Sequence, residues 1–130
     1  MTWPEWFPVD CPPSSAVPAD GSYYRLVEND PVKESDFTAW REEVIKGWRR
    51  RSWSAAKEAH AAACSVFADL EDVEDVQKAT GGTRALKMIA LGDITGSGEM
   101  EHSPSKTHSS HYSWWRPVED TAWSGFAVQS

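Results

Sequence analysis

The sequence predicts an α+β fold: a compact single domain with a mixed or mainly antiparallel sheet, two to three helices and a proline- and aromatic-rich N-terminal arm. Two observations lead to this fold class. The 130 residues suit one hydrophobic core. Segments with strand and helix patterns alternate after residue 21, and neither an internal repeat nor a linker divides them. We therefore assign residues 1–21 to the arm and residues 22–130 to a single α+β domain.

The arm is rich in prolines and aromatic side chains. Because proline fixes φ and removes a backbone donor, the arm is expected to be extended and not helical. Trp3, Trp6 and Phe7 are too apolar to be left in water, and so we expect them to pack on the domain.

Residues 22–27 (SYYRLV) are predicted to form the first strand, since their β-propensity is high. With a period of two, Arg25 shares a face with Tyr23 and Val27, while Tyr24 lies on the other face. Arg25 is then a lone charge on its face. Placing a guanidinium against a sheet requires a partner, and we expect either an internal carboxylate or a ligand phosphate.

The segment between residues 35 and 63 is predicted to be mainly helical. Ser35 is a suitable N-cap for a helix with apolar residues at spacings of three and four. These apolar residues are Phe37, Trp40, Val44 and Trp48. Residues 48–53 (WRRRSW) are either a solvated helix end or a patch for an anion or phosphate. The alanine-rich residues 54–63 predict a second helix.

Apart from the strand that contains Trp114 and Trp115, a third helix and three strands are predicted in the rest of the chain. The helix covers residues 69–79, has a solvated acidic face over residues 69–75 and is ended by Gly81-Gly82. The strands are residues 64–67 (CSVF), 84–91 (RALKMIAL) and 125–128 (GFAV).

Residues 102–117 contain three of the four histidines, five serines and two adjacent tryptophans. Hydroxyls, imidazoles and indoles bring hydrogen-bonding groups and stacking faces but little aliphatic surface, and so we expect a ligand to bind here. Alternation along a strand predicts that one of the two indoles lies in the core and the other at the surface.

Candidate site residues follow from this stretch. His111 is expected to form hydrogen bonds within a cleft. Ser65 and several C-terminal serines are available for a Ser/His hydrolase, although the chain has no Gly-x-Ser-x-Gly elbow. The predicted catalytic residues include His111 and Ser65. The predicted ligand-binding residues include Arg25, Ser113, Trp114 and Trp115. The spacing of the histidines is poor for zinc, and no metal is predicted.

The composition restricts the partners and the compartment. A formal net charge of −7 disfavours a general nucleic-acid-binding role, because its field repels phosphate. The chain shows no signal peptide and no apolar stretch long enough to cross a membrane. We expect a cytoplasmic protein in which Cys11 and Cys64 are free thiols, and Cys64 is more readily explained as a buried, inert residue than as a nucleophile.

Three segments resemble an uncharacterised family of small bacterial proteins: CPPSSAVPADGSYYRLVENDP, ACSVFADLED and HSPSKTHSSHYSWW. The order of YYRL and SVFADLEDV also resembles the layout of small ADP-ribosyltransferase-like (RES-type) domains. That resemblance implies that NAD or a related nucleotide binds in a cleft formed by the first strand and the 102–115 His/Ser/Trp stretch, and that Arg25 binds its pyrophosphate. It implies that Tyr24 or Trp114 stacks on the nicotinamide or adenine, and that Glu101 or Glu119 is the acidic catalytic residue.

The alternative is a non-enzymatic, acidic protein-protein interaction module, such as an accessory, immunity or antitoxin-like partner in a bacterial conflict or defence system. Exposed Trp or Tyr side chains, or the acidic 69–75 face, would then bind a protein partner. The position of the polar residues distinguishes the two hypotheses. An enzyme would bring Arg25, Ser65 and a histidine into one pocket, whereas an interaction module would spread its tryptophans over an open surface.

Overall fold

A seven-stranded sheet organises the chain, for which the computed structural model describes residues 1–80 and 87–129. The strands are β1 (Val17–Pro18), β2 (Ser22–Val27), β3 (Cys64–Phe67), β4 (Met88–Asp93), β5 (Glu99–His102), β6 (His111–Trp115) and β7 (Ala127–Val128). They lie in the order β1-β5-β6-β3-β2-β4-β7, and neighbouring strands pair antiparallel. The predicted α+β class with a mainly antiparallel sheet is confirmed.

Three short helices and three 3₁₀ turns connect these strands within the described residues. The helices are α1 (Trp40–Ile45), α2 (Glu58–Ala61) and α3 (Leu70–Thr80). The turns are Glu34–Phe37, Ala55–Lys57 and Ala122–Gly125. The helix predicted over residues 69–79 corresponds to α3. In the described part of the chain, no helix is long and apolar enough to span a membrane.

The prediction of one continuous helix from Ser35 to Trp48 is wrong, because the backbone is extended at Thr38 and Ala39. These two residues separate the first 3₁₀ turn from α1. The apolar spacing alone gave no sign of this break.

The break has a physical cause in three consecutive carbonyl groups. Arg25 donates from Nε to the carbonyl of Asp36 at 3.0 Å and from Nη2 to that of Thr38 at 3.3 Å. Arg116 donates from Nη1 to the carbonyl of Phe37 at 2.6 Å. Carbonyls that accept from guanidinium groups need no helical N–H partner. Long-range hydrogen bonds therefore replace the helical ones here.

The strand predicted over residues 84–91 is observed as β4, which begins at Met88 and ends at Asp93. Residues 84–86 and the predicted helix stop at Gly81-Gly82 lie outside the described residues. The final strand, predicted over residues 125–128, is shorter and follows the last 3₁₀ turn.

Both faces of the sheet are covered by apolar side chains. The larger cluster includes Tyr23, Val27, Phe37, Val66, Ala90, Trp114 and Phe126. On the opposite face, α3 contributes Val73 to a cluster with Phe67 and Ile89. Trp115 belongs to a further cluster, which is formed with Ala62 and Ala63. The alternation predicted for β2 is observed, since Tyr23 and Val27 lie in the first cluster and Tyr24 packs on the Phe67 cluster.

The N-terminal arm packs on the Trp115 cluster, as expected from its aromatic residues. Trp3, Trp6 and Phe7 are half-buried against it, and the Phe7 ring lies 4.8 Å from that of Trp6. The backbone is also held, since Arg41 Nε donates to the Trp6 carbonyl at 2.8 Å. The arm is therefore part of the packed structure.

We expect Trp6→Ala to lower the free energy of unfolding by about 2 kcal/mol, because apolar surface packed on the Trp115 cluster is lost. Val9 lies in the same arm with 90% of its surface exposed, and Val9→Ala is the matched control, with an expected change within about 0.5 kcal/mol. Urea unfolding measures both values. Equal values for the two variants would contradict the packing of the arm.

Candidate functional site

A cleft of about 500 Å³ opens on the sheet face formed by β3 and β6. Three parts of the chain line it: β3, the β5–β6 loop together with β6, and the segment from Trp40 to Ala61. Its polar lining includes Ser65, His111 and Ser113. The cleft therefore contains the 102–115 stretch that we predicted to bind a ligand, but not the first strand.

Ser65 is accessible in a strand that is otherwise buried. β3 lies in the middle of the sheet, and its side chains alternate, so that Ser65 and Phe67 share one face. Both residues line the cleft, but Phe67 also packs on Val73 of α3. Because α3 does not extend over Ser65, the hydroxyl of this residue in the central strand is open to a ligand.

His111 brings its imidazole to this hydroxyl. On β6 it pairs in register with Phe67, and its Nε2 lies 3.0 Å from Ser65 Oγ. Its Nδ1 lies 2.8 Å from the carbonyl oxygen of Ser103 and 2.9 Å from Ser103 Oγ. The structure therefore brings together the two predicted residues His111 and Ser65.

The hydrogen bonds define the tautomer of His111. A carbonyl oxygen can only accept, and so Nδ1 carries the proton that it donates to Ser103. Nε2 then presents its lone pair to Ser65 Oγ, which donates. Ser113 Oγ lies 2.9 Å from Ser103 Oγ and extends this network to the third predicted polar residue.

Burial lowers the pKa of His111 below its ordinary value of 6.5, because desolvation disfavours the imidazolium. The hydrogen bond to the Ser103 carbonyl opposes this effect, and the neighbouring His60, His102 and His108 lower the pKa further when they are charged. At neutral pH the imidazole is therefore uncharged and able to accept a proton.

The loop between β5 and β6 is held by two carboxylates of α3. Asp72 accepts from the backbone N–H and the hydroxyl of Ser110 at 3.0 and 2.6 Å, and these hydrogen bonds lower the pKa of Asp72. Asp75 lies 2.7 Å from Nε2 of His108, which lines the cleft. Part of the predicted acidic face therefore contacts this loop.

Two indoles with guanidinium groups over them form another part of the cleft lining. The ring centroids of Trp40 and Trp53 are 6.1 Å apart. Arg49 lies 4.1 Å from the Trp40 ring, and Arg51 lies 5.7 Å from the Trp53 ring. The buried Nε1 of Trp53 has no hydrogen-bond partner among the described residues. This part of the lining is therefore aromatic, and the two guanidinium groups over the rings are ion-paired with Glu43 and Glu58.

Lys57 also lines the cleft, and it forms no ion pair with a carboxylate in the described part of the chain. Trp40 and Lys57 were not predicted as site residues, and Trp53 was included only in the possible anion patch. The predicted anion patch over residues 48–53 was the available signal for this part of the lining.

Arg25 does not line this cleft, and its partners correct the expectation of an anion. It faces the larger core cluster opposite Ala90, with its guanidinium 5.4 Å from the Phe37 ring. Besides the carbonyls of Asp36 and Thr38, it donates from Nη1 to the carbonyl of Ser65 at 2.8 Å. Neutral backbone acceptors thus take the place of the internal carboxylate that the sequence suggested as one of two possible partners.

Trp114 and Trp115 are both fully buried, and so the prediction that one indole lies at the surface is wrong. Alternation does place them on opposite faces of β6, but both faces are covered. Their Nε1 groups donate to the carbonyls of Ser97 and Ala59, each at 2.8 Å. Neither ring lines the cleft. Tyr24 also lies outside it, since it packs on the Phe67 cluster.

The acidic candidates lie apart from the Ser65–His111 pair. Glu119 accepts from the backbone N–H of Thr2 at 2.7 Å, which lowers its pKa, and it lines a different cavity. Glu101 is hydrogen-bonded to Ser15 and lies 3.0 Å from Nε2 of His60. Neither carboxylate is therefore in position to contact His111.

The cysteines are free, and burial raises the pKa of both thiols, that of Cys11 to about 12. A neutral thiol is a poor nucleophile. Within residues 1–80 and 87–129, no three His, Cys, Asp or Glu side chains are grouped as ligands for a metal ion.

The nuclear magnetic resonance titration of His111 is expected to have a midpoint below 6.5, because desolvation favours the neutral ring. The resonance is assigned by its absence from His111→Gln. The same shift has a consequence for stability. The unfolded chain binds a proton at His111 more readily than the folded chain does. The contribution of neutral His111 to the free energy of unfolding is therefore present above about pH 6.5 and is lost as the pH falls through the pKa of the folded state. A midpoint above 6.5 would contradict the described environment.

We expect Arg25→Ala to lower the free energy of unfolding by about 2 kcal/mol or more, because three backbone carbonyls lose their donor. The control is Arg50→Ala, since Arg50 is exposed and its removal is expected to change stability by less than about 0.5 kcal/mol. Chemical unfolding measures both variants. Equal stability of the two variants would show that the carbonyl contacts contribute nothing.

Comparison with known proteins gives no match to a family model, a curated protein or a solved structure. The resemblance to small bacterial proteins and to ADP-ribosyltransferase-like domains therefore stays a prediction.

Proposed function

We propose that the protein binds a small aromatic ligand with an anionic group, with NAD or a related nucleotide as the class to test, in the cleft above β3 and β6. The observation that carries the proposal is the lining itself, where the indoles of Trp40 and Trp53 and the ammonium group of Lys57 lie in one cleft with hydroxyl and imidazole groups. Clefts of this size and mixed character are typical of ligand-binding sites.

Each part of the lining suits one part of such a ligand. A base can stack on the indoles of Trp40 and Trp53, and a phosphate or carboxylate is attracted by Lys57. Hydroxyls of Ser65 and Ser113 provide further donors and acceptors for a sugar or amide.

The proposal moves the anion site away from the residue suggested by the ADP-ribosyltransferase resemblance. Since the guanidinium of Arg25 is bonded to three carbonyls, we assign the attraction of phosphate to Lys57. Transfer of ADP-ribose in this cleft remains a proposal. It requires an acidic residue other than Glu119, because Glu119 lines a different cavity.

Isothermal titration calorimetry with NAD, ADP-ribose and AMP tests this proposal. Trp53→Ala is expected to weaken binding at least about 5-fold, since stacking of one base on an indole contributes about 1–3 kcal/mol. Lys57→Met should also weaken binding and reduce its dependence on salt. Trp48→Ala is the matched control, because Trp48 is 64% exposed and does not line the cleft. Absence of binding to all three ligands, or equal weakening by Trp48→Ala, would refute the proposal.

A second candidate function is the binding of a protein partner, and the exposed side chains of Ile45 and Trp48 favour it. They expose 56% and 64% of their surfaces, and Lys46 Nζ lies 4.9 Å from the Trp48 ring. Exposed tryptophans beside cations are frequent at protein interfaces. The acidic 69–75 face is a less suitable surface, because Asp72 and Asp75 already contact the β5–β6 loop.

A further inference from the structure

We propose that Ser65 is a nucleophile and His111 its general base, so that the cleft can transfer an acyl group from an ester ligand. This activity goes beyond ligand binding and does not depend on the ligand being a nucleotide. It rests on the arrangement of three hydrogen-bonded groups, namely a hydroxyl, an imidazole and a backbone carbonyl.

The first observation is the direction of the proton. The Ser103 carbonyl accepts from His111 Nδ1 at 2.8 Å, and so the lone pair of Nε2 lies 3.0 Å from Ser65 Oγ. This is the geometry of a nucleophile beside a base whose orientation is fixed by a third group. Here the third group is a backbone carbonyl, and it occupies the place that a carboxylate has in a Ser-His-Asp triad.

The second observation is that Ser65 and His111 are held rigidly by the sheet while Ser65 stays accessible from the cleft. Ser65 lies on β3 and His111 on β6, and these paired strands have neighbours on both sides in the sheet. The edge of the His111 ring packs on Phe67, with 5.3 Å between ring centroids. Ser65 nevertheless remains exposed to the cleft. A fixed nucleophile beside an open cleft meets the geometric requirement for attack on a bound carbonyl.

The hydroxyls of Ser103 and Ser113 lack this arrangement, and the Ser105 hydroxyl accepts from the backbone N–H of His108 at 3.0 Å. Ser103 Oγ faces Nδ1 of His111, which carries a proton and cannot accept another. The nearest partner of Ser113 Oγ is the hydroxyl of Ser103. Ser65 is therefore the hydroxyl in this network that faces an unprotonated nitrogen.

The proposed reaction has two steps. Ser65 Oγ forms a bond to the ester carbonyl carbon while its proton moves to Nε2 of His111. The C–O bond to the alcohol then breaks, the alkoxide takes the proton from Nε2, and an acyl-serine remains. In the second step water attacks the acyl-serine, again giving its proton to His111. The proton returns to Ser65 Oγ, and a carboxylic acid is released.

A fluorophosphonate probe followed by mass spectrometry tests the proposal. Ser65 displaces fluoride from such a probe by the same proton transfer to His111. Trypsin produces residues 58–78, in which Ser65 is the single hydroxyl-bearing residue, and fragmentation separates it from Cys64. We expect the wild-type peptide to be labelled at Ser65. Absence of this label would overturn the proposal.

Variants make the test specific. Ser65→Ala should lose the label, and His111→Gln should be labelled at least about 100-fold more slowly, as expected on loss of a general base. Ser124→Ala is the control, since Ser124 bonds the carbonyl of Thr121 and does not line the cleft, and its labelling should match the wild type. Labelling of His111→Gln at the wild-type rate would refute the role of the imidazole.

A measurement on the wild type covers the case in which His111→Gln does not fold. The labelling rate should rise with pH in proportion to the fraction of His111 that is neutral. The midpoint of this rise should equal the midpoint of the nuclear magnetic resonance titration of His111. His60 beside Glu101, His108 beside Asp75, and His102 are the other titratable groups around the ring. A labelling rate independent of pH would overturn the proposal.

The two proposals can fail separately. Labelling of Ser65 in a protein that binds no nucleotide refutes the proposed ligand class and supports the nucleophile. Nucleotide binding without labelling supports the binding cleft and overturns the nucleophile.

Discussion

The hydrogen bonds of Arg25 are the interaction on which the arrangement of the cleft depends. β2 and β3 pair in register at a single position, Tyr24 opposite Phe67. Beside that position the guanidinium holds the carbonyl of Ser65 on β3 and those of Asp36 and Thr38 in the preceding segment. It thereby positions Ser65 and the start of α1, two parts of the chain that line the cleft from different directions. A lysine has one donor group in place of a planar fork and cannot bind the three acceptors in the same way.

Arg116 extends this arrangement to the end of β6. It donates to the Phe37 carbonyl, to Asp120 at 2.8 Å and to Glu34 at 3.0 Å. Its guanidinium and that of Arg25 lie 5.8 and 5.4 Å from the Phe37 ring. Charges beside a core are tolerated when they are fully hydrogen-bonded, and here the partners are mainly backbone groups that cannot rotate away. The break between the first 3₁₀ turn and α1 follows from the same contacts.

The sequence predicted the fold class, the two faces of β2 and the pair Ser65 and His111, because alternation and composition are local properties. It did not predict that Trp114 and Trp115 are both buried, since a strand pattern does not reveal whether layers cover both faces of a sheet. The partners of Arg25 could not be predicted either, because they are backbone carbonyls and the side-chain composition carries no information about which carbonyls accept. Trp53 and Lys57 line the cleft only through the packing of their segment against β3 and β6.

The contacts of α3 with the β5–β6 loop have a consequence for the entropy of binding. A loop that becomes ordered when a ligand arrives loses conformational freedom, and this loss weakens affinity. Here Asp72 holds Ser110 through both its backbone and its hydroxyl, and Asp75 holds His108. The loop is therefore ordered before any ligand is present. A ligand that fits the cleft gains its contacts without this loss, whereas a ligand of another shape cannot reshape the loop around itself.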